Sequence, residues 1–175
     1  MSWHEGIIEL IDMRSFSNLW YWIALAVMWS TTSHWVLGVP YDMVLRAQRR
    51  GGQAEVDLED LVRVHTNRLL FISQISGLWI LGFACFVLTL LATLGFYYWI
   101  EFAQALFLLL FPLAIVGLLS LSTARRIVEE GASGALLRKR LSKHRLIIQA
   151  IGIFSIFVTS LFGMFQNMSI SGLGA

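Results

Sequence analysis

Residues Leu69–Leu121 read LLFISQISGLWILGFACFVLTLLATLGFYYWIEFAQALFLLLFPLAIVGLLSL, and their only charged residue is Glu101. A hydrocarbon core of about 30 Å is crossed by about 20 helical residues, so this run is too long for one span and must turn inside itself. Gly95 marks the turn. Phe96, Tyr97, Tyr98 and Trp99 follow it, an aromatic cluster that suits the headgroup zone. Glu101 then opens the next helix, where a negative charge favours the N-terminus. Because the runs are continuously apolar and do not alternate, helices are expected and barrel strands are not.

Working outward, two further apolar runs are long enough to span, Asn18–Pro40 and Leu146–Gln166. The expected fold is therefore all-α: a polytopic membrane protein forming one transmembrane domain, a bundle of four helices at about 18–40, 69–92, 102–121 and 146–166. Composition agrees. Of 175 residues, 57% are hydrophobic and 14% charged, against roughly 25% charged in soluble domains.

Charge placement sets the orientation. Five of the thirteen Lys and Arg residues (Arg46, Arg49, Arg50, Arg63, Arg68) lie between the first and second spans. Seven (Arg125, Arg126, Arg138, Lys139, Arg140, Lys143, Arg145) lie between the third and fourth, and only Arg14 falls elsewhere. The positive-inside rule puts loops 41–68 and 122–145 in the cytoplasm and both termini outside. The start of the chain carries Glu5, Glu9 and Asp12 where a cleaved signal peptide has a basic region, so none is expected. Residues 3–13 place Ile7, Leu10 and Ile11 on one face of a short amphipathic helix.

Both loops read as helical hairpins. The first span continues through Tyr41–Arg50 and breaks at Gly51-Gly52. Acidic residues Glu55, Asp57, Glu59 and Asp60 then open a helix that runs into the second span. In the second loop, TARRIVEE extends the third span, Gly131–Gly134 turns, and ALLRKRLSKHRL leads into the fourth. The acidic EVDLED run pairs with RAQRR in its own hairpin or docks a basic partner. Arg138, Lys139, Arg140, Lys143 and Arg145 form a membrane-surface patch for anionic headgroups, at about 1 kcal/mol per charge.

The stretch Trp29–Trp35, WSTTSHW, is polar inside an apolar span. Spacing and topology put Ser30, Ser33 and His34 at about the depth of Ser73 and Gln74 in the second span, Ser120 in the third and Gln149 in the fourth. Interhelical hydrogen bonding is the plain reading of this layer, at roughly 0.6–2 kcal/mol per bond. The sharper one is a ligand or proton site at His34, since histidine is the side-chain type used for proton and ligand sites in membrane spans. Haem or metal binding would need His65 or His144 at the same depth, and no cofactor or metal is assigned. Gly152, Ser155, Thr159 and Gly163 make a small-residue stripe for close helix packing. Pro112 is expected to kink the third span. Cys85, the only cysteine, reads as a packed apolar residue. A phosphate loop, HExxH, CxxC and a nucleic-acid patch are all missing from the sequence.

The run IDMRSFSNLWYWIALAVMWSTTSHWVLGVPYDMV, Ile11 to Val44, resembles a family of small four-span alphaproteobacterial membrane proteins labelled "component of the Suf iron–sulfur assembly complex". The resemblance covers about a fifth of the chain. It implies a membrane partner of that system and transfers no catalytic residue. The expected function is a non-enzymatic accessory or scaffold protein of the bacterial inner membrane, with a protein partner. The alternative is a small membrane subunit of a transporter or redox complex, with a quinone, haem or proton site near His34.

Overall fold

The computed structural model describes Phe16 and residues 19–172. The amphipathic helix expected at 3–13 lies outside the described residues. Over the described residues the fold is all-α apart from one minimal β-ribbon. Its elements are α1 (Leu19–His34), β1 (Trp35–Val36), β2 (Val39–Pro40), α2 (Tyr41–Arg50), α3 (Gln53–Ala92), a π-helical turn (Thr93–Tyr97), α4 (Glu101–Glu130) and α5 (Gly134–Gly172). Three helices, α3 to α5, are long and apolar enough to cross a membrane. At 1.5 Å per residue, the 40 residues of α3 reach about 60 Å, roughly twice a hydrocarbon core. Each of these helices therefore has length to spare, and the spare turns collect at the basic end of the molecule.

The first helix departs from the sequence reading. Instead of continuing through Pro40 into Tyr41–Arg50, α1 stops at His34 after 16 residues. The chain then reverses in an antiparallel ribbon that pairs Trp35 with Pro40 and Val36 with Val39. Leu37 at φ 52° and Gly38 at φ 79° supply the positive φ pair of a primed hairpin turn. A leucine there is strained by about 1–2 kcal/mol. What offsets the strain is burial, since Val36 and Val39 are both 0% exposed.

Those two valines sit in the largest core of the protein. It gathers Val44 and Ala47 of α2, Leu58 and Val62 of α3, Ile127 of α4, and Leu137 and Leu141 of α5. The two helix–turn–helix units at this end follow one plan. Val44 and Ala47 are buried before the Gly51-Gly52 turn and Leu58 and Val62 after it; Ala124 and Ile127 precede the Gly131 turn and Leu137 and Leu141 follow it. Their facing buried sides make a single head. Gly131 ends α4 in the left-handed region at φ 57°, ψ 39°, and Ala132 N donates to Ile127 O at 3.0 Å in a Schellman-type stop.

Away from the head, α1 lies along α5. The small-residue stripe is fully buried and seats aromatic rings of α1. A Cβ on Gly152 would stand 2.9 Å from Trp29 Cε3, and one on Gly163 would stand 3.3 Å from Trp22 Cζ2. At the far end the chain does not break at Gly95. The helix widens into the π turn, where Gly95 is buried against the backbone of Gln104. Phe96, Tyr97, Tyr98 and Trp99 are all exposed. Cys85 is exposed too, not packed, because the apolar half of α3 faces outward around most of its circumference.

Candidate functional site

Helical periodicity splits the polar patch of α1 into two clefts. Ser30 and Ser33, three residues apart, share one face and meet Gln149 of α5 in a cleft of about 520 Å³, whose floor is Gly152, Ile153 and Ile156. Thr31 and Thr32 face a second cleft of about 500 Å³, with His65, Arg68 and Ser120. Thr32 Oγ1 also donates to Met28 O at 2.8 Å, a bond within its own helix. His34 joins neither cleft. It is exposed, with its ring edge-on to Trp35 at 5.8 Å.

Ser73 donates to Leu70 O at 2.9 Å, and Gln74 is exposed on α3. Of the layer read from the sequence, then, the structure brings together Ser30, Ser33 and Gln149. Ser120 lies on the second cleft and makes its bonds outside this layer. Its hydroxyl donates to Val116 O at 2.8 Å and lies 3.2 Å from His144 Nε2, while Thr123 Oγ1 lies 3.0 Å from His144 Nδ1. His144 is 2% exposed, the one described histidine that is buried. The signal for it was present in the spacing: Leu137, Leu141, His144 and Ile148 fall 4, 3 and 4 apart, and all four are buried. Among the described residues, no group of three or more His, Cys, Asp or Glu side chains is placed to hold a metal ion.

The basic run is largely committed inside the protein. Arg138 pairs with Glu55 and Arg140 with Glu130. Arg145 Nε donates to Ser33 O at 3.2 Å, and its guanidinium lies 4.0 Å over the Tyr41 ring. Lys139 and Lys143 are the two exposed members. Two acids of the EVDLED run neither pair with RAQRR nor point away. Glu55 reaches Arg138, and Glu59 accepts the backbone N–H of Gly134 at 2.6 Å, so both tie one helical hairpin to the other.

Two further polar sites were not legible in the sequence. Gln104 is 0% exposed; its Nε2 donates to Gly95 O at 2.7 Å, and its Oε1 accepts from Gln166 Nε2. Close by, Glu101 accepts the Phe16 backbone N–H at 2.8 Å. These bonds brace the end opposite the head. An apolar cleft of about 560 Å³ between α4 and α5 is lined by Pro112, Phe111, Phe154 and Ser155. Among the described residues, the Ser155 hydroxyl and the Trp29 indole N–H are buried without hydrogen-bond partners. The chain, compared with known proteins, matches no family model, no curated protein and no solved structure.

Proposed function

We propose that this protein is a non-enzymatic accessory or scaffold protein of the bacterial inner membrane, with four membrane helices, both termini outside and the head in the cytoplasm. α1 is the fourth membrane helix. Its 16 residues reach about 24 Å, short of a full span, but Trp22 and Trp29 seat it against α5 along the small-residue stripe. Exposed Tyr97, Tyr98 and Trp99 at the far end suit an outer aromatic belt.

The observation that carries the reading is the shared core of the head. Two hairpins that need only have connected spans are instead fused by buried apolar residues and cross-tied by Glu55–Arg138 and Glu59–Gly134. That construction holds a fixed surface, and on it stand the exposed Arg49, Arg50, Arg125, Arg126, Lys139 and Lys143, beside fewer exposed acids, Asp42, Asp57, Asp60, Glu129 and Glu130. Such a surface favours anionic headgroups and an acidic protein partner. The resemblance of Ile11–Val44 to the Suf-labelled membrane family makes iron–sulfur assembly components the first partners to look for.

The test is purification of the tagged protein in mild detergent, followed by mass spectrometry of what comes with it. One partner at fixed stoichiometry, lost when Arg125 and Arg126 are changed to Glu, is the expected outcome. A protein that purifies alone with a visible absorption band would favour the redox-subunit alternative, for which the Ser30, Ser33 and Gln149 cleft is the place to look. Orientation is tested separately. Alkaline phosphatase fused after Ala175 should be active, and a fluorescent GFP fusion there would reverse the topology.

A further inference from the structure

We infer that the cleft between α1 and α5 holds one anionic phospholipid, its phosphate at Arg145 and an acyl chain along Gly152, Ile153 and Ile156. The observation behind this is a charge without a counter-ion. Three arginines of the basic run are half-buried: Arg138, Arg140 and Arg145. The first two have carboxylate partners, Glu55 and Glu130. None of the four ion pairs among the described residues includes Arg145. The protein nevertheless holds its guanidinium in place, through the Ser33 carbonyl at 3.2 Å and the face of Tyr41 at 4.0 Å. A carbonyl and an aromatic ring orient a guanidinium without neutralising it. A partly desolvated cation fixed this way is poised for an anion that accepts charge-assisted hydrogen bonds, and a phosphodiester does so in the geometry guanidinium favours.

The cleft beside it, which Arg145 borders through its bond to the Ser33 carbonyl without lining it, has the polarity of a lipid. At the Arg145 end stand the hydroxyls of Ser30 and Ser33 and the Gln149 amide, donors of the kind that meet phosphate and glycerol-ester oxygens. One to two helical turns further along α5 the lining becomes Gly152, Ile153 and Ile156. Gly152 lets the Trp29 ring lie directly on α5, where a Cβ would collide with it, and the ring walls the cleft there. The volume of about 520 Å³ lies within the range of small-molecule sites. A free phosphate would satisfy Arg145 and leave the apolar half unused. A neutral lipid would fill the groove and leave Arg145 unpaired. An anionic phospholipid answers both halves. The inference rests on the proposed placement of the head at the inner face, so that the lipid comes from the cytoplasmic leaflet.

The experiment is native mass spectrometry and thermal melting of the full chain in detergent. The probes are phosphatidylglycerol, phosphatidylcholine of the same chains, and inorganic phosphate. The expected result is one retained phosphatidylglycerol per chain and a raised melting temperature, with neither effect from phosphatidylcholine or phosphate. Arg145→Gln should reduce phosphatidylglycerol retention to the phosphatidylcholine level, and Arg145→Lys should restore part of it. Arg145 also braces Ser33 and Tyr41. Ile153→Trp, at an outward-facing position far from the head, therefore provides an independent variant that fills the acyl groove and should also abolish retention. Equal retention of the two lipids, protection by phosphate alone, or wild-type retention in Ile153→Trp would each overturn the inference. A reversed fusion topology would move the cleft to the outer leaflet and leave the adduct intact, so the two failures are distinguishable.

Discussion

Glu59 Oε1 accepts the backbone N–H of Gly134 at 2.6 Å, across 75 residues of sequence. Gly134 is the first residue of α5, and the first N–H groups of a helix have no partner inside it. The acceptor comes from a different helix. Glu55, one turn earlier on α3, holds Arg138 one turn further along α5. Two carboxylates four residues apart thus fasten the opening turns of α5 to the first hairpin.

Removing that cap should loosen the head first. Glu59→Ala is expected to cost about 0.5–2 kcal/mol, and Glu59→Gln less, because an amide oxygen still accepts without the charge. Hydrogen exchange across 134–141 should speed up in both variants, more so in Ala. Unchanged protection there would mean that the cap does not stabilise α5.

Two positive-φ glycines should respond differently to substitution. Gly131→Asn is expected to be mild, because Gly131 is left-handed, a Cβ there would meet nothing within 4 Å, and Asn tolerates that region. Gly38→Ala adds a contact of 2.9 Å with His65 Nδ1 to a backbone at φ 79°. It should cost more than the roughly 1–2 kcal/mol of conformational strain alone. Melting temperatures in detergent decide the order, and a Gly38→Ala protein as stable as Gly131→Asn would show that the ribbon is not held against His65. A short Gly/Ser insertion between Gly51 and Gly52, where the turn is equally open, should leave stability nearly unchanged.

The histidines should separate cleanly. His34 is exposed, so His34→Gln and His34→Leu should both stay within about 0.5 kcal/mol of wild type. His144→Leu should cost about 1–3 kcal/mol, since Thr123 and Ser120 lose the ring nitrogens they meet in a buried site. His144→Gln should fall between. Denaturation of the four variants side by side measures this. A costly His34→Leu would mean that the His34 ring is held by packing or a hydrogen bond and is not simply exposed.

Ser155→Ala should stabilise the protein or leave it unchanged. The Ser155 hydroxyl is buried without a partner among the described residues, so its removal recovers up to about 1 kcal/mol of desolvation cost. The Thr159 hydroxyl still donates to the residue 155 carbonyl, at 2.7 Å in wild type. A clear loss of stability would mean that the Ser155 hydroxyl is satisfied by something bound in the α4–α5 cleft.

The long apolar helices follow from the sequence by itself, because continuous hydrophobicity over about 20 residues has few solutions and helices satisfy their own backbone. The glycine turns were legible for a similar reason: positive φ at Gly51, Gly52 and Gly131 is a local demand that one residue type meets. The small-residue stripe on α5 also shows in its spacing, although Trp22 and Trp29 as its occupants do not. The tertiary structure decided the rest. Trp35–Pro40 continues an apolar run and reads as helix, but burial of Val36 and Val39 in a core that brings together α2, α3, α4 and α5 outweighs local propensity and the strain at Leu37. Which histidine is buried, and whether Glu55 meets its neighbours or Arg138, depend on where the two hairpins lie relative to each other. Periodicity gives the face a side chain occupies on its own helix; only packing gives what stands opposite.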